Sequence, residues 1–169
     1  GLAGNEMITT KGADYDAFLE ALKALCIQIS KELAADGEGA KHLITCNVTG
    51  AKDEATADTI GKSVISSTLT KAAIFGADAN WGRVLCAMGY SKAPFRPEYV
   101  DVKFTSAAGE VLVCSQGAGV DFDETLAKQV LSQDEVVIDV TLNEGDYTVS
   151  CWGCDLTYDY VKINGDYRT

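Results

Sequence analysis

Apolar residues recur at helical spacing in the first part of the chain. Between Asp14 and about Ala35 they fall every three or four positions, which predicts an amphipathic helix. Asp14 is the predicted N-cap of this helix, and Gly37 is the predicted left-handed residue that ends it. The apolar face of the predicted helix consists of Phe18, Leu22, Leu25, Cys26, Ile29 and Leu33.

Alternation replaces this spacing in the next segment. Polar and apolar residues alternate over residues 41–49, which predicts a strand with Ile44, Cys46 and Val48 on one face. A second helix is predicted from about Asp53 to Gly76, and its inward positions are Ile60, Val64 and Leu69. Residues 76–91 predict a turn followed by a short apolar helix, with Asp78 and Asn80 capping the turn into Trp81.

The second half of the chain is rich in strand patterns. Residues 99–115 predict two strands around a turn at Ala108 and Gly109, and residues 135–153 predict a strand pair joined at Glu144 and Gly145. The segment "DFDETLAKQVLSQ" between them predicts a third, shorter helix, which its acidic residues begin. The mixture predicts one layered domain, residues 1–169, of the mixed α/β (α+β) class, with helices packed on a sheet that is not purely parallel.

Charge and composition exclude several functional classes. The net charge is −11 and no basic patch occurs, which argues against nucleic acid as a partner. No apolar run approaches the length of a membrane span, and the first residues show no signal-peptide pattern, so we expect a cytoplasmic protein.

The six cysteines predict neither disulfides nor a metal site. They are spread over helix and strand patterns in a domain large enough to fold without disulfides. Cys151 and Cys154 form a C-x-x-C, but they lie in a strand pattern, whereas a redox pair needs a helix N-terminus. His42 is the only histidine, so no zinc ligand set is predicted.

Three Gly-rich segments leave alternatives open. Glu38 lies between Gly37 and Gly39 in a loop, where its carboxylate could bind a cationic group or could simply be solvated. "GADANWGR" either lines a pocket or forms a turn anchored by Trp81. "SQGAGV" either admits a ligand close to the backbone or is a plain loop. No serine or cysteine has a recognisable catalytic base, so the chain looks like part of a site without its nucleophile.

Three longer motifs carry a resemblance to a known family. "DGEGAKHLITCNVTGA", "GADANWGRVLCAMGYS" and above all the closing "WGCDLTYDYVKINGDYRT" resemble the ornithine acetyltransferases, the bifunctional glutamate N-acetyltransferases of arginine biosynthesis (ArgJ family). The resemblance covers essentially all of residues 1–169, and it implies the ArgJ/DmpA-like N-terminal-nucleophile fold.

The resemblance implies a precursor that cuts itself before a threonine into an α and a β chain. The freed threonine takes the acetyl group of N-acetylornithine and passes it to glutamate in a ping-pong reaction, and its own α-amine can serve as the base. In bifunctional members acetyl-CoA also donates acetyl, and no cofactor is implied.

The family's Ala-Thr-Met cleavage motif is absent here. This chain is therefore expected to be the C-terminal segment of a β chain with no catalytic residue of its own. Its expected partners are the α chain and the first part of the β chain, in a hetero-oligomer of two α and two β chains.

Three residues match the family's substrate contacts. Glu38 matches the glutamate that binds the substrate ammonium, while Asn164 and Thr169 match the two C-terminal substrate residues. Lys41 and His42 replace the usual Thr-Lys of the family, and Gly165 stands where Ala is common. Two other hypotheses stay open: an aminopeptidase-like hydrolase with an N-terminal nucleophile, and a non-catalytic assembly module.

Overall fold

The computed structural model describes residues 2–166 of the 169-residue chain. Its helices are α1 (Ala13–Ala35), α2 (Glu54–Ser66), α3 (Thr68–Phe75), α4 (Trp81–Tyr90), α5 (Glu124–Leu131) and α6 (Tyr158–Asp166), with a 3₁₀ turn at Pro97–Tyr99. Its strands are β1 (Leu43–Ala51), β2 (Asp101–Ser106), β3 (Gly109–Ser115), β4 (Ala118–Gly119), β5 (Glu135–Thr141) and β6 (Tyr147–Cys154). The predicted mixed α/β class is confirmed.

The strands form one mixed sheet in the order β4-β3-β2-β5-β1-β6. β1 and β5 are parallel neighbours, and all the other pairs are antiparallel. In this register Cys46 lies between Ile138 and Cys151, so one face of the sheet is a continuous apolar layer. α2 packs over β1 and β6 on that face, and α5 packs over β2 and β3. The predicted inward face of β1, with Ile44, Cys46 and Val48, is confirmed because all three residues are buried.

The hairpin predicted at Ala108 and Gly109 is confirmed as β2 and β3, but the one at Glu144 and Gly145 is wrong. β5 and β6 are not neighbours, because β1 lies between them. The connection instead runs across the end of β1, where the Leu142 amide donates to the Thr49 carbonyl and the Glu144 amide donates to the Gly50 carbonyl. A short Gly-containing connection therefore spans about 10 Å, the width of two strand spacings, rather than closing a tight turn.

The predicted span of α1 is confirmed, since the helix runs from Ala13 to Ala35, but both predicted cap residues are wrong. Gly12 occupies the N-cap position, and Asp14 lies in the first turn without capping it. The helix ends at Ala35 with Asp36 as its C-cap, and the left-handed residue of the following loop is Gly39, with φ +69°, rather than Gly37. Gly37 is required for a different reason, because a Cβ atom there would lie 2.5 Å from the Cys154 sulfur.

The single helix predicted between Asp53 and Gly76 is two helices, α2 and α3. The chain breaks at Ser67, whose backbone is extended and whose side chain accepts a hydrogen bond from the Thr70 amide, so that it caps α3. Ile60 and Val64 are buried as predicted. The inward position predicted for Leu69 is wrong, since the break rotates this side chain outward and leaves it 56% exposed.

Helix α1 buries none of its residues, although its apolar spacing predicted a helix correctly. Its apolar stripe, defined as Phe18, Leu22, Leu25, Ile29 and Leu33, stays between 43% and 72% exposed. The helix touches β1 and β6, and the Lys31 ammonium lies 5.9 Å from the centre of the Trp152 ring. The stripe itself therefore has no covering element among residues 2–166.

Candidate functional site

Glu38 is held on a loop between α1 and β1 that packs against the start of α6. A Cβ atom on Gly39 would lie 2.7 Å from the Tyr160 amide nitrogen, so only glycine allows this approach. The Gly39 carbonyl accepts a hydrogen bond from the Thr157 hydroxyl at 2.6 Å. The same hydroxyl accepts from the Tyr160 amide at 3.2 Å and so caps α6. The loop that carries Glu38 and the helix that carries Asn164 are consequently fixed to each other.

The structure brings two of the three predicted site residues together. The Asn164 side-chain amide donates to Glu38 Oε2 at 2.6 Å and to the Tyr160 carbonyl at 2.9 Å. These two residues are 126 positions apart in the chain. The third predicted residue, Thr169, lies outside the described residues.

Asp155 anchors the end of the Glu38 loop that leads into β1 by hydrogen bonds to the backbone. Its side chain is completely buried, and Oδ1 accepts from the amides of Lys41 at 2.8 Å and His42 at 3.2 Å. The His42 ring nitrogen Nδ1 lies 2.7 Å from Oδ2. A buried carboxylate needs several such donors to offset its lost hydration. Lys41 and His42, which depart from the family pattern, therefore leave the loop anchored, and neither Asp155 nor this role was identified from the sequence.

A cavity of about 270 Å³ lies beside Glu38. Its wall comes from the Glu38 loop, the break between α2 and α3, and the connection from β6 to α6. The lining residues are Glu38, Ser66, Thr68, Lys71, Cys154, Asp155, Leu156 and Tyr160. The sequence analysis missed Lys71. This residue lines the cavity because the chain breaks between α2 and α3, and only a run of serine and threonine residues marks that break in the sequence. A larger surface hollow of about 510 Å³ is bounded only by residues 124–133, along one side of α5.

The other Gly-rich candidates are occupied by the protein itself. Asn80 caps α4 by accepting from the Arg83 amide, and its side-chain amide donates to Asp78. Trp81 packs on Gly119, where a Cβ atom would lie 2.6 Å from the indole. These contacts support the structural interpretation of "GADANWGR" and "SQGAGV", since the space beside the glycine at 119 is taken by a side chain of this chain.

The C-x-x-C pair lies in a strand, as predicted. Cys151 and Cys154 both belong to β6, and Cys151 is buried under α2. Burial raises the pKa of the Cys151 thiol, and the nearby Asp58 carboxylate raises it further. A thiol held in its neutral form is a poor nucleophile, which is the opposite of what a redox pair requires. Within residues 2–166 no group of three or more His, Cys, Asp and Glu side chains is arranged to hold a metal ion.

Similarity to known proteins covers the whole chain. Residues 2–169 match the model of the ArgJ family. The chain is 50% identical to "Arginine biosynthesis bifunctional protein ArgJ 1" of Clostridium acetobutylicum, covering 100% of this chain and 41% of that protein. It is 48% identical to the ArgJ protein of Caldanaerobacter subterraneus subsp. tengcongensis, covering 100% of this chain and 42% of the relative.

A solved structure has the same fold. The crystal structure of the arginine biosynthesis bifunctional protein ArgJ from Bacillus halodurans superposes with a TM-score of 0.87 at 41% identity, covering 98% of this chain and 76% of that one. The chain thus spans about two-fifths of the length of the curated relatives it matches. On the family match and these identities, this chain belongs to the ArgJ family.

Proposed function

We propose that this chain is the C-terminal segment of the β chain of an enzyme that moves acetyl from N-acetylornithine to glutamate in arginine biosynthesis. The observation that carries the proposal is the hydrogen bond between Asn164 and Glu38, because the family's substrate contacts match these two residues. Membership of the ArgJ family supports it further.

The attacking group would come from polypeptide outside this chain. A threonine hydroxyl freed at a cleaved N-terminus attacks the acetyl carbonyl, the amide C–N bond breaks, and the hydroxyl proton passes by way of the α-amine to the departing ornithine. The resulting acetyl ester is then attacked by the glutamate amine, which releases the threonine hydroxyl. Acetyl-CoA would serve as an additional donor substrate, and no cofactor enters either step.

The role proposed for this chain is substrate binding. Glu38 would accept the ammonium of N-acetylornithine, and Asn164 would orient the carboxylate by occupying Oε2 and leaving Oε1 available to the ligand. Thr169 would contribute from the end of the chain.

The α chain and the preceding part of the β chain would complete the pocket, in an assembly of two α and two β chains. Among residues 2–166, no helix has both the length and the apolar character needed to cross a membrane; a cytoplasmic location belongs to the proposal.

Glu38→Ala in the full-length protein tests this role. A charge-assisted hydrogen bond contributes about 1.5–3 kcal/mol, so its loss should raise the KM for N-acetylornithine roughly tenfold or more. The measurement is the rate of acetyl exchange between N-acetylornithine and glutamate, with and without acetyl-CoA. The exposed Glu98, on the 3₁₀ turn, offers Glu98→Ala as a matched control that should leave KM unchanged.

Three outcomes would contradict the proposal. Unchanged kinetics in Glu38→Ala would remove Glu38 from the site. Release of acetate in the presence of abundant glutamate would indicate the hydrolase instead. Mass spectrometry that finds this segment in the natural material without any chain beginning with the freed threonine would favour the assembly module.

A further inference from the structure

The cavity beside Glu38 also contains a cationic group, Lys71. This residue is half-buried in α3, and its carbonyl accepts from the Leu156 amide at 3.4 Å, which ties α3 to the connection between β6 and α6. Its ammonium lies 3.9 Å from the Cys154 sulfur, on the cavity wall. Besides the buried Asp155, the charged residues that line the cavity are therefore Glu38, on the loop after α1, and Lys71, on α3.

No carboxylate within residues 2–166 forms an ion pair with Lys71. Asp155 lines the same cavity, but its completely buried carboxylate is already bonded to the amides of Lys41 and His42 and to the His42 ring. Glu38 bonds to Asn164 rather than to Lys71. A partly desolvated ammonium without a counter-ion favours the binding of an anion, because the anion restores part of the lost hydration energy.

The charges and the size of the cavity define the ligand class. A volume of about 270 Å³ suits a molecule of amino-acid size. A ligand that satisfies both ends must carry a free ammonium for Glu38 and a free carboxylate for Lys71. N-acetylornithine has both, with its ammonium at the end of the side chain and its carboxylate on the α carbon, next to the acetylated nitrogen.

We propose that Lys71 is a specificity-determining residue that binds the α-carboxylate of N-acetylornithine while Glu38 binds its side-chain ammonium. This inference rests on the proposed function and adds to it the group that selects an amino acid over a plain acetylated diamine. Lys71 and Glu38 then set the direction of the substrate in the cavity, with the acetyl group at the carboxylate end.

N-acetylputrescine tests the pairing, because it is N-acetylornithine without the carboxylate. The experiment measures kcat/KM for acetyl transfer to glutamate by the full-length protein with each donor, in the wild type, Lys71→Met and Lys71→Arg. We expect Lys71→Met to lower kcat/KM for N-acetylornithine about tenfold or more and to leave that for N-acetylputrescine within about twofold. Lys71→Arg, which keeps the charge, should retain most of the preference. Glu38→Ala should penalise both donors alike, since both carry the ammonium.

Controls distinguish carboxylate binding by Lys71 from a merely structural role of Lys71, and from failure of the proposed function. Lys62→Met removes an exposed lysine of α2 that pairs with Asp58, and it should change neither donor's kcat/KM. Equal losses for both donors in Lys71→Met would overturn the inference, because a misfolded wall affects both. If Lys71→Met has a lower melting temperature than the wild type, kcat/KM for the two donors is compared in Lys71→Gln instead, because glutamine removes the charge but keeps a polar side chain. A wild type that transfers acetyl from neither donor would refute the proposed function itself.

Discussion

Gly61 lets helix α2 approach the sheet closely. A Cβ atom there would lie 2.8 Å from the Cys151 sulfur and 3.4 Å from a methyl carbon of Val48. Both neighbours are buried and cannot move into solvent. The glycine therefore serves the packing of α2 on β1 and β6, not a loop or a ligand.

Gly61→Ala should destabilise the protein by about 1–3 kcal/mol, the usual cost of adding a methyl group to a filled core. Gly89 in α4 provides the matched control, because a Cβ atom there has no neighbour within 4 Å. Gly89→Ala should stabilise the protein by about 0.5–1 kcal/mol through helix propensity. Thermal unfolding of the two variants measures the contrast. Removing the sulfur in Gly61→Ala/Cys151→Ala should recover part of the loss; a double variant no more stable than Gly61→Ala would exclude the proposed clash.

The residues of the candidate site differ in how far the sequence predicted them. Glu38 stood out only as a carboxylate between glycines, and Asn164 had no local signal at all, so both depended on the resemblance to the family. Asp155 and Lys71 were missed because their roles arise from contacts made far along the chain, 113 residues apart for Asp155 and His42 and 83 for Lys71 and Cys154. Chemistry of this kind is created by the fold and leaves no spacing pattern.

At the scale of elements, the sequence predicted the features that depend on neighbouring residues, such as the start of a helix. Asp53 was expected to begin a helix, and its side chain accepts from the Thr56 amide at 2.7 Å as the N-cap of α2. The break at Ser67 was missed because the capping serine lies among other serines and threonines, so the apolar spacing does not change there. The false hairpin between β5 and β6 has a non-local cause: only the insertion of β1, which lies more than 80 residues earlier, separates two strands that follow each other.

The cap at Asp53 predicts a pH dependence of stability. Hydrogen bonds from the Thr56 hydroxyl and the Thr56 amide lower the pKa of the Asp53 carboxyl. Because the pKa in the folded state lies below that in the unfolded state, this stabilisation is complete above the unfolded pKa, about 3.9, and disappears as the pH falls through the folded value. Asp53→Asn keeps an N-cap acceptor that does not titrate. We expect wild type and Asp53→Asn to differ less in melting temperature at pH 3 than at pH 7. A difference that is constant with pH would contradict the cap.

At the scale of the whole molecule, the sheet is covered on one face by α2 and α5, while α1, which touches β1 and the edge strand β6, keeps its apolar stripe exposed. Five large apolar side chains on one helix face are an unusual surface for a free domain, and such faces mark contacts with other protein. The curated relatives are more than twice as long as this chain, so under the proposed function the occupant we expect is additional polypeptide of the same protein. The apolar stripe is thus the surface at which we expect the α chain or the first part of the β chain to pack.

Leu25→Glu in the full-length protein tests this contact, because Leu25 is in the middle of the apolar stripe and is 52% exposed. Full burial of a leucine contributes about 1.5–3 kcal/mol, so its replacement by a charge should weaken association roughly tenfold or more. The measurement is the amount of companion polypeptide that co-purifies with a tagged β chain. Gln28→Glu introduces the same charge on the same helix beside the stripe, where Gln28 bonds only to Glu32 across one turn, and it should leave co-purification intact. Equal recovery of the α chain from both variants would exclude the α chain as the occupant and leave the first part of the β chain, whose contact would appear as a lower melting temperature of Leu25→Glu alone, or a second copy of this chain. A second copy as the occupant would appear as a change in the mass of the assembly without loss of the α chain.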